Sequence, residues 1–351
     1  MTTKNMQSTQ HSSLILLLAV ALVAALAVPA AMAQNKSGGD TPGADVDAPR
    51  ANLAAAAAAV YERAARFPEH SRAVEPGATD PVRAKRVPAP HSLPSRDGSA
   101  TITVWPREVS FQHPAPVELY ATVDRRGPGG FTVGKLDTSI VGEVVDAEGR
   151  VVTTVSYRDD GKGADRRAKD GIHTASFDLP PEAVPELAAS FGVRIAAVGD
   201  GGETIGVTGG FLYSNPHARL TGEMREELRD GSLVVSVQVK VETAGRFHLA
   251  GTLAEMKGAP VGTAQAAAVL EPGVHWLELE FYGLMFRDRG VAGPFRVASL
   301  AFSTVTGMPN ALNDLVEDGY RTRAYPLAAF TDRGFGEPGL MGAAARLRGE
   351  R

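Results

Sequence analysis

Residues 157–174 read YRDDGKGADRRAKDGIHT and place Asp159, Asp160, Asp165 and Asp170 in one glycine-containing loop. Carboxylates this dense repel one another unless a cation or nearby arginines compensate, and Ca2+ takes roughly six to eight oxygen ligands from such loops. The loop is therefore a candidate calcium site with those four aspartates as ligands. Its spacing is not that of an EF-hand, because Gly161 and Gly163 fall where the third and fifth ligands would stand. The competing reading is a turn network. In it each carboxylate accepts local backbone N–H groups, and Lys162, Arg166, Arg167 and Lys169 supply the compensating charge.

Other chemistry has weaker support. No Gly-x-Ser-x-Gly elbow, His-Glu-x-x-His helix or phosphate-binding loop occurs, so the usual signals for hydrolases, zinc proteases and nucleotide enzymes are missing. The histidines beyond the leader (His70, His91, His113, His173, His217, His248 and His275) are scattered, and folding alone could pair His248 with His275. A carboxylate pair assembled from distant strands stays open. Trp276, Tyr282 and Phe286 flank a Leu-Glu-Leu-Glu run and could form an aromatic platform for sugar, but with so few aromatics Trp105 and Trp276 are expected to lie mostly in the core.

The elements that must position these groups follow from composition and pattern. The chain has 351 residues, enough for about two domains. With 38 glycines, 23 prolines and 6% aromatics it favours strands and turns over long helices. A formal charge of −4 gives no basic field, so neither nucleic acid nor anionic lipid is an expected partner. The absence of cysteine excludes disulfides, thiolate metal sites and a cysteine nucleophile.

Residues 13–32, SLILLLAVALVAALAVPAAM, follow a leader whose only formal charge is Lys4 and end on Ala31-Met32-Ala33. This is the pattern of a secretory signal peptide over 1–33, cleaved after Ala33, with an uncleaved anchor as the alternative. Cleavage takes the net charge from −4 to −5. It leaves no membrane span and sends the chain to the periplasm or the extracellular space. Residues 34–97 read as a disordered linker that carries an Ala-rich helix over 51–67 and a proline-rich spacer. Leu53, Ala57, Val60, Ala64 and Phe67 form the apolar stripe of that helix.

From 101 onward the chain reads as short strands separated by Gly, Pro, Asp and Asn: 101–105, 117–123, 140–146, 151–157, 172–179, 193–198 and 205–213. A second set covers 233–242, 246–253, 261–269, 275–281, 295–302 and 322–327. The expected fold class is all-β, two tandem β-sandwiches over 98–215 and 216–333, with 334–351 as a flexible tail. The two sets echo each other, since 174–179 precedes 191–196 as 277–281 precedes 293–298, which suggests an internal repeat.

The run Tyr157-Arg-Asp-Asp-Gly-Lys-Gly-Ala-Asp165 with Lys169-Asp-Gly-Ile-His-Thr-Ala-Ser-Phe177 resembles the signature of bacterial exported immunoglobulin-like modules of the "choice-of-anchor X" and DUF4785-like type. His173 stands where those modules usually carry tyrosine. The stretches 247–253, 270–273, 281–283, 293–295 and 320–325 resemble the second module of the same group, so the likeness spans 98–333. It implies an exported, non-catalytic, immunoglobulin-like protein. The expected role is to bind a protein or polysaccharide of the bacterial cell envelope. A carboxylate-based hydrolase of envelope polymers and a purely structural spacer are the alternatives.

Overall fold

The computed structural model describes residues 47–199 and 201–350. The expected signal peptide over 1–33 lies outside the described residues. In chain order the elements are α1 (Asp47–Ala65), β1 (Ser71–Ala73), α2 (Pro81–Ala84), β2 (His91–Pro94), β3 (Ala100–Pro106), β4 (Ser110–Gln112), β5 (Val117–Arg126), β6 (Thr132–Lys135), β7 (Ile140–Val145), β8 (Val151–Ser156) and β9 (His173–Phe177). There follow β10 (Ala188–Val198), β11 (Thr204–Ser214), β12 (Ala218–Arg229), β13 (Ser232–Val241), β14 (Gly245–Glu255), β15 (Pro260–Leu270), β16 (Gly273–Phe281), α3 (Leu284–Arg289), β17 (Phe295–Thr304), β18 (Ala311–Arg321) and α4 (Pro338–Leu347). Among the described residues no helix is long and apolar enough to cross a membrane.

The protein is mostly β, and its strands form several antiparallel sheets with β4 on β11 as a parallel addition. In the first half, β3, β5 and β9 pair side by side, and the facing sheet runs β8-β7-β10-β11-β4. Period-two alternation turns Ile102, Val104, Leu119, Val123, Val193 and Ile195 inward, into one buried cluster that the two sheets share. In the second half, β12-β13-β16 faces β18-β17-β14-β15-β1 over a cluster that includes Val235, Val237, Leu249, Leu279 and Phe302. The order β3-β5-β9 recurs as β12-β13-β16, and β8-β7-β10-β11 recurs as β15-β14-β17-β18. The strand order is thus repeated where the sequence echo suggested it. The Asp146 turn is as its residue types imply: Gly149 N donates to Asp146 O, and Asp146 Oδ1 accepts from Glu148 N and Arg150 N.

Several expectations are corrected. The segment before 98 is not a free spacer. β1 pairs with β15 as an edge strand of the second half, and β2 pairs with β3 as an edge strand of the first. Between them Asp80 caps α2, accepting from Val82 N at 2.9 Å and Arg83 N at 3.1 Å. The same carboxylate accepts from Thr252 Oγ1 at 2.6 Å and Ser299 Oγ at 2.8 Å, on neighbouring strands β14 and β17. Residues 71–94 therefore form a strap running from one half to the other, pinned at Asp80.

The expected flexible tail is also ordered over its described residues, 334–350. Phe335 N and Glu337 N donate to Arg66 O and Ala65 O at the C-terminal end of α1, and Arg348 pairs with Glu62. The α1 stripe is displaced, with Leu53 and Val60 exposed while Ala58 and Ala65 are buried. Small alanines suit close approach of backbone, which the larger apolar residues would block. Residues 322–327 are not a strand; the last strand, β18, ends at Arg321.

Asp80→Ala leaves the buried hydroxyls of Thr252 and Ser299 without their acceptor. We expect a loss of about 3 kcal/mol in denaturant unfolding together with new proteolytic cleavage within 76–90. Unchanged stability and cleavage would show that the strap is held by other contacts.

Candidate functional site

The alternation that buries Ile102 and Val104 turns Trp105 to the outer face of β3, and that which buries Leu119 and Ala121 turns Tyr120 outward on β5. Trp105 and Tyr120 are register partners, and Thr174 on β9 is the next residue in the row. The two rings lie 5.7 Å apart at 38°. Trp105 is half-buried on this face, not a core residue, which corrects the sequence expectation.

The loop 157–172 stands beside the row. Asp159 accepts from Asp170 N at 3.2 Å and from Gly171 N at 2.7 Å, closing the loop across its neck. Asp165, itself buried, accepts from Gly161 N at 2.5 Å and Arg167 N at 3.1 Å. Asp160 and Asp170 each accept from the amide two residues on, at Lys162 and Ile172. Gly161 has a φ of 71°, and a Cβ there would stand 2.9 Å from Ala168 N, so only glycine closes this turn without displacement.

The four aspartates thus share a loop but do not converge on a point. Each carboxylate serves its own backbone amides, and among the described residues no group of three or more His, Cys, Asp or Glu could hold a metal ion. The geometry is that of the turn network. The calcium expectation for Asp159, Asp160, Asp165 and Asp170 finds no ligand shell in it.

Folded in this way, the loop brings Arg166 and Arg167 to a shallow groove of about 290 Å³ whose floor includes Trp105, Tyr120 and Thr174. Glu118, buried on the same face, accepts from Arg107 Nη1 at 2.8 Å and from the Tyr120 hydroxyl. Burial, and the Glu118 carboxylate it donates to, push the Tyr120 phenol up to about 12, against the pull of Arg166 and Arg107. An aromatic floor with guanidinium groups at the rim can stack on the apolar face of a sugar and hydrogen-bond its hydroxyl or acidic substituents.

The other aromatic group disperses. Phe286 is fully buried in α3 between Phe295 and Phe330, at 4.7 and 4.2 Å. The Tyr282 hydroxyl donates to Arg333 O, and Trp276 lies under the Arg225 guanidinium at 4.4 Å. His248 and His275 fall on different sheets, the first facing Gln265 Oε1 and the second Glu271 O. Composition directed attention to Trp276. The signal that could have found Trp105 was parity, since Thr101, Thr103 and Trp105 alternate with Ile102 and Val104.

Residues 217–309, which include β12 to β17, match the family model described as Domain of unknown function (DUF4785) C-terminal domain. No curated protein matches the chain significantly. Among solved structures, a DUF4785 family protein from Legionella pneumophila subsp. pneumophila str. Philadelphia 1 is similar at 18% identity and a TM-score of 0.43, over 66% of this chain and 59% of its own. The chain thus spans 59% of that protein's length. Squid arrestin aligns at 10% identity and a TM-score of 0.22, over 66% of this chain and 96% of its own. The C-terminal domain of a Streptococcus agalactiae AgI/II polypeptide aligns at 8% and 0.19, over 65% and 98%.

Two outcomes test this geometry. Melting curves in excess Ca2+ and in EDTA should superimpose, while Asp165→Ala should lose about 2 kcal/mol of stability through its orphaned amides; a calcium-induced rise in Tm that Asp165→Ala abolishes would restore the metal reading. The second concerns alkali. The folded Tyr120 phenol keeps its proton to about 12, whereas an unfolded tyrosine releases it near pH 10. The stability this contributes is complete below pH 10 and is lost as pH rises to about 12. Tyr120→Phe should therefore lose less stability than the parent chain across that window in denaturant midpoints, and equal slopes would count against the shift.

Proposed function

We propose that the chain is an exported, non-catalytic protein of DUF4785-like type, built as two tandem immunoglobulin-like β-sandwiches, that binds a polysaccharide of the bacterial cell envelope. The observation that carries this reading is the Trp105–Tyr120 pair on the outer face of β3 and β5, with Arg166 and Arg167 held beside it by the aspartate-capped loop. The signal-like sequence over 1–33 supports export to the periplasm or beyond. The repeated strand order and the match over 217–309 support the tandem-sandwich and family assignments.

The groove is shallow and its carboxylates are occupied by backbone amides or by Arg107, which favours holding a polymer over cleaving it. Stacking on one aromatic pair is sequence-tolerant, as suits a repeating polymer. The guanidinium rim favours chains with acidic groups.

The test is co-sedimentation with purified peptidoglycan sacculi and, separately, binding to lipopolysaccharide. One of the two should retain the parent chain, and Trp105→Ala should weaken retention roughly tenfold at unchanged melting temperature. Retention by neither, or full retention of Trp105→Ala, would overturn the proposal.

A further inference from the structure

The strap roofs a second recess, on the opposite side of the first-half core from the aromatic groove's strands β5 and β9. It is a cleft of about 400 Å³ between α2, the outer face of β14, β15 and β17, and the Val109–Ser110 and Leu212 edge of the first half. Two of its lining residues carry a buried polar atom with no hydrogen-bond partner, Arg86 at Nε and Ser110 at Oγ. Among the described residues Arg86 makes no hydrogen bond and no ion pair through any of its side-chain nitrogens. A buried donor without an acceptor is costly to leave unmade, and here the donor is a cation whose basicity burial lowers against the pull of Glu108.

The Glu108 carboxylate acts on Arg86 by charge but makes no ion pair with it, lying instead 3.8 Å from Arg107 Nε. Arg72 is already committed, giving Nη1 to Ala64 O at 2.5 Å and Phe67 O at 3.2 Å. Lys85 lines the same cleft and is exposed, while Glu69 is the one acidic residue of the lining. The balance of the lining is cationic. The guanidinium presents a planar fork that matches carboxylate and phosphate oxygens, and a serine hydroxyl donates to the same oxygens. The volume exceeds that of an inorganic ion and falls within the range of small-molecule sites, and Val82, Leu212 and Val305 provide apolar wall for a carbon skeleton.

We propose that this cleft binds a small organic anion, and that Arg86 and Ser110 receive its carboxylate or phosphate oxygens beneath the strap. The site is separate from the polysaccharide groove and does not depend on that reading.

The experiment is isothermal titration of the full chain at constant ionic strength with butyrate and with glycerol phosphate, which separate the two oxyanion classes. At least one should bind saturably at a single site, and Arg86→Gln should weaken it by about ten- to a hundredfold, with Ser110→Ala weakening it less. Should Arg86→Gln fail to fold, Arg86→Lys keeps the charge, removes the fork, and is expected to lose affinity as well. Lack of saturable binding by either probe overturns the proposal, and so does full affinity in the arginine variants.

Discussion

One carboxylate, that of Asp80, receives donors from four groups: two amides that start α2 and two hydroxyls on adjacent strands of the second half. The hydroxyls of Thr252 and Ser299 sit on buried residues of the outer sheet face, so the strap lies directly on the strands it crosses. That contact fixes where α2 begins and therefore where Arg86, a few residues on, enters the cleft. The flanking strands β1 and β2 are too short to hold such a crossing by backbone pairing alone. A proline-rich stretch, conformationally restricted before folding, loses less entropy on being laid down than a flexible one would.

The 157–172 loop illustrates a different economy of charge. Read as a list of residues it is acidic enough to attract a cation, but in three dimensions its carboxylates turn to the backbone and its guanidinium groups turn to solvent. What the loop presents to a partner is therefore the opposite sign of what its aspartates suggest. The same amides that pair with Asp159 and Asp165 fix the path of the loop backbone, and this places Arg166 and Arg167 at the aromatic row.

Much of the strand framework was legible because burial writes itself into pattern. β13 places Val235, Val237, Val239 and Val241 at every second position, and β3 alternates in the same way, as sheets with two different faces must. β12 was not legible: ARLTGEMREELR is an edge strand carrying many charges, with a register shift between Leu220 and Met224 that breaks its period. β18 hides its strand character behind Asn313, Asp314 and Asp318, and β1 and β2 exist only because a partner edge was available. The site divided in the same way. The Asp loop was visible as a cluster, its turn network was one of two readings from the residue types, and Trp105 needed the parity of its strand. Arg86 and Ser110 belong to segments with no periodic signal, and tertiary contact alone brings them together.

The strap also sets an order of events for the newly made chain. Its anchors on Asp80 are separated in sequence by 172 and 219 residues, so they close among the longest loops in the molecule. Such contacts form late, because the entropy of closing the loop must be spent before any contact rewards it. In a chain synthesised from its N-terminus, the β1 to α2 segment emerges early and waits until β14 and β17 have followed. The first half can assemble in the meantime, and the roof of the cleft becomes a report that the whole chain has arrived.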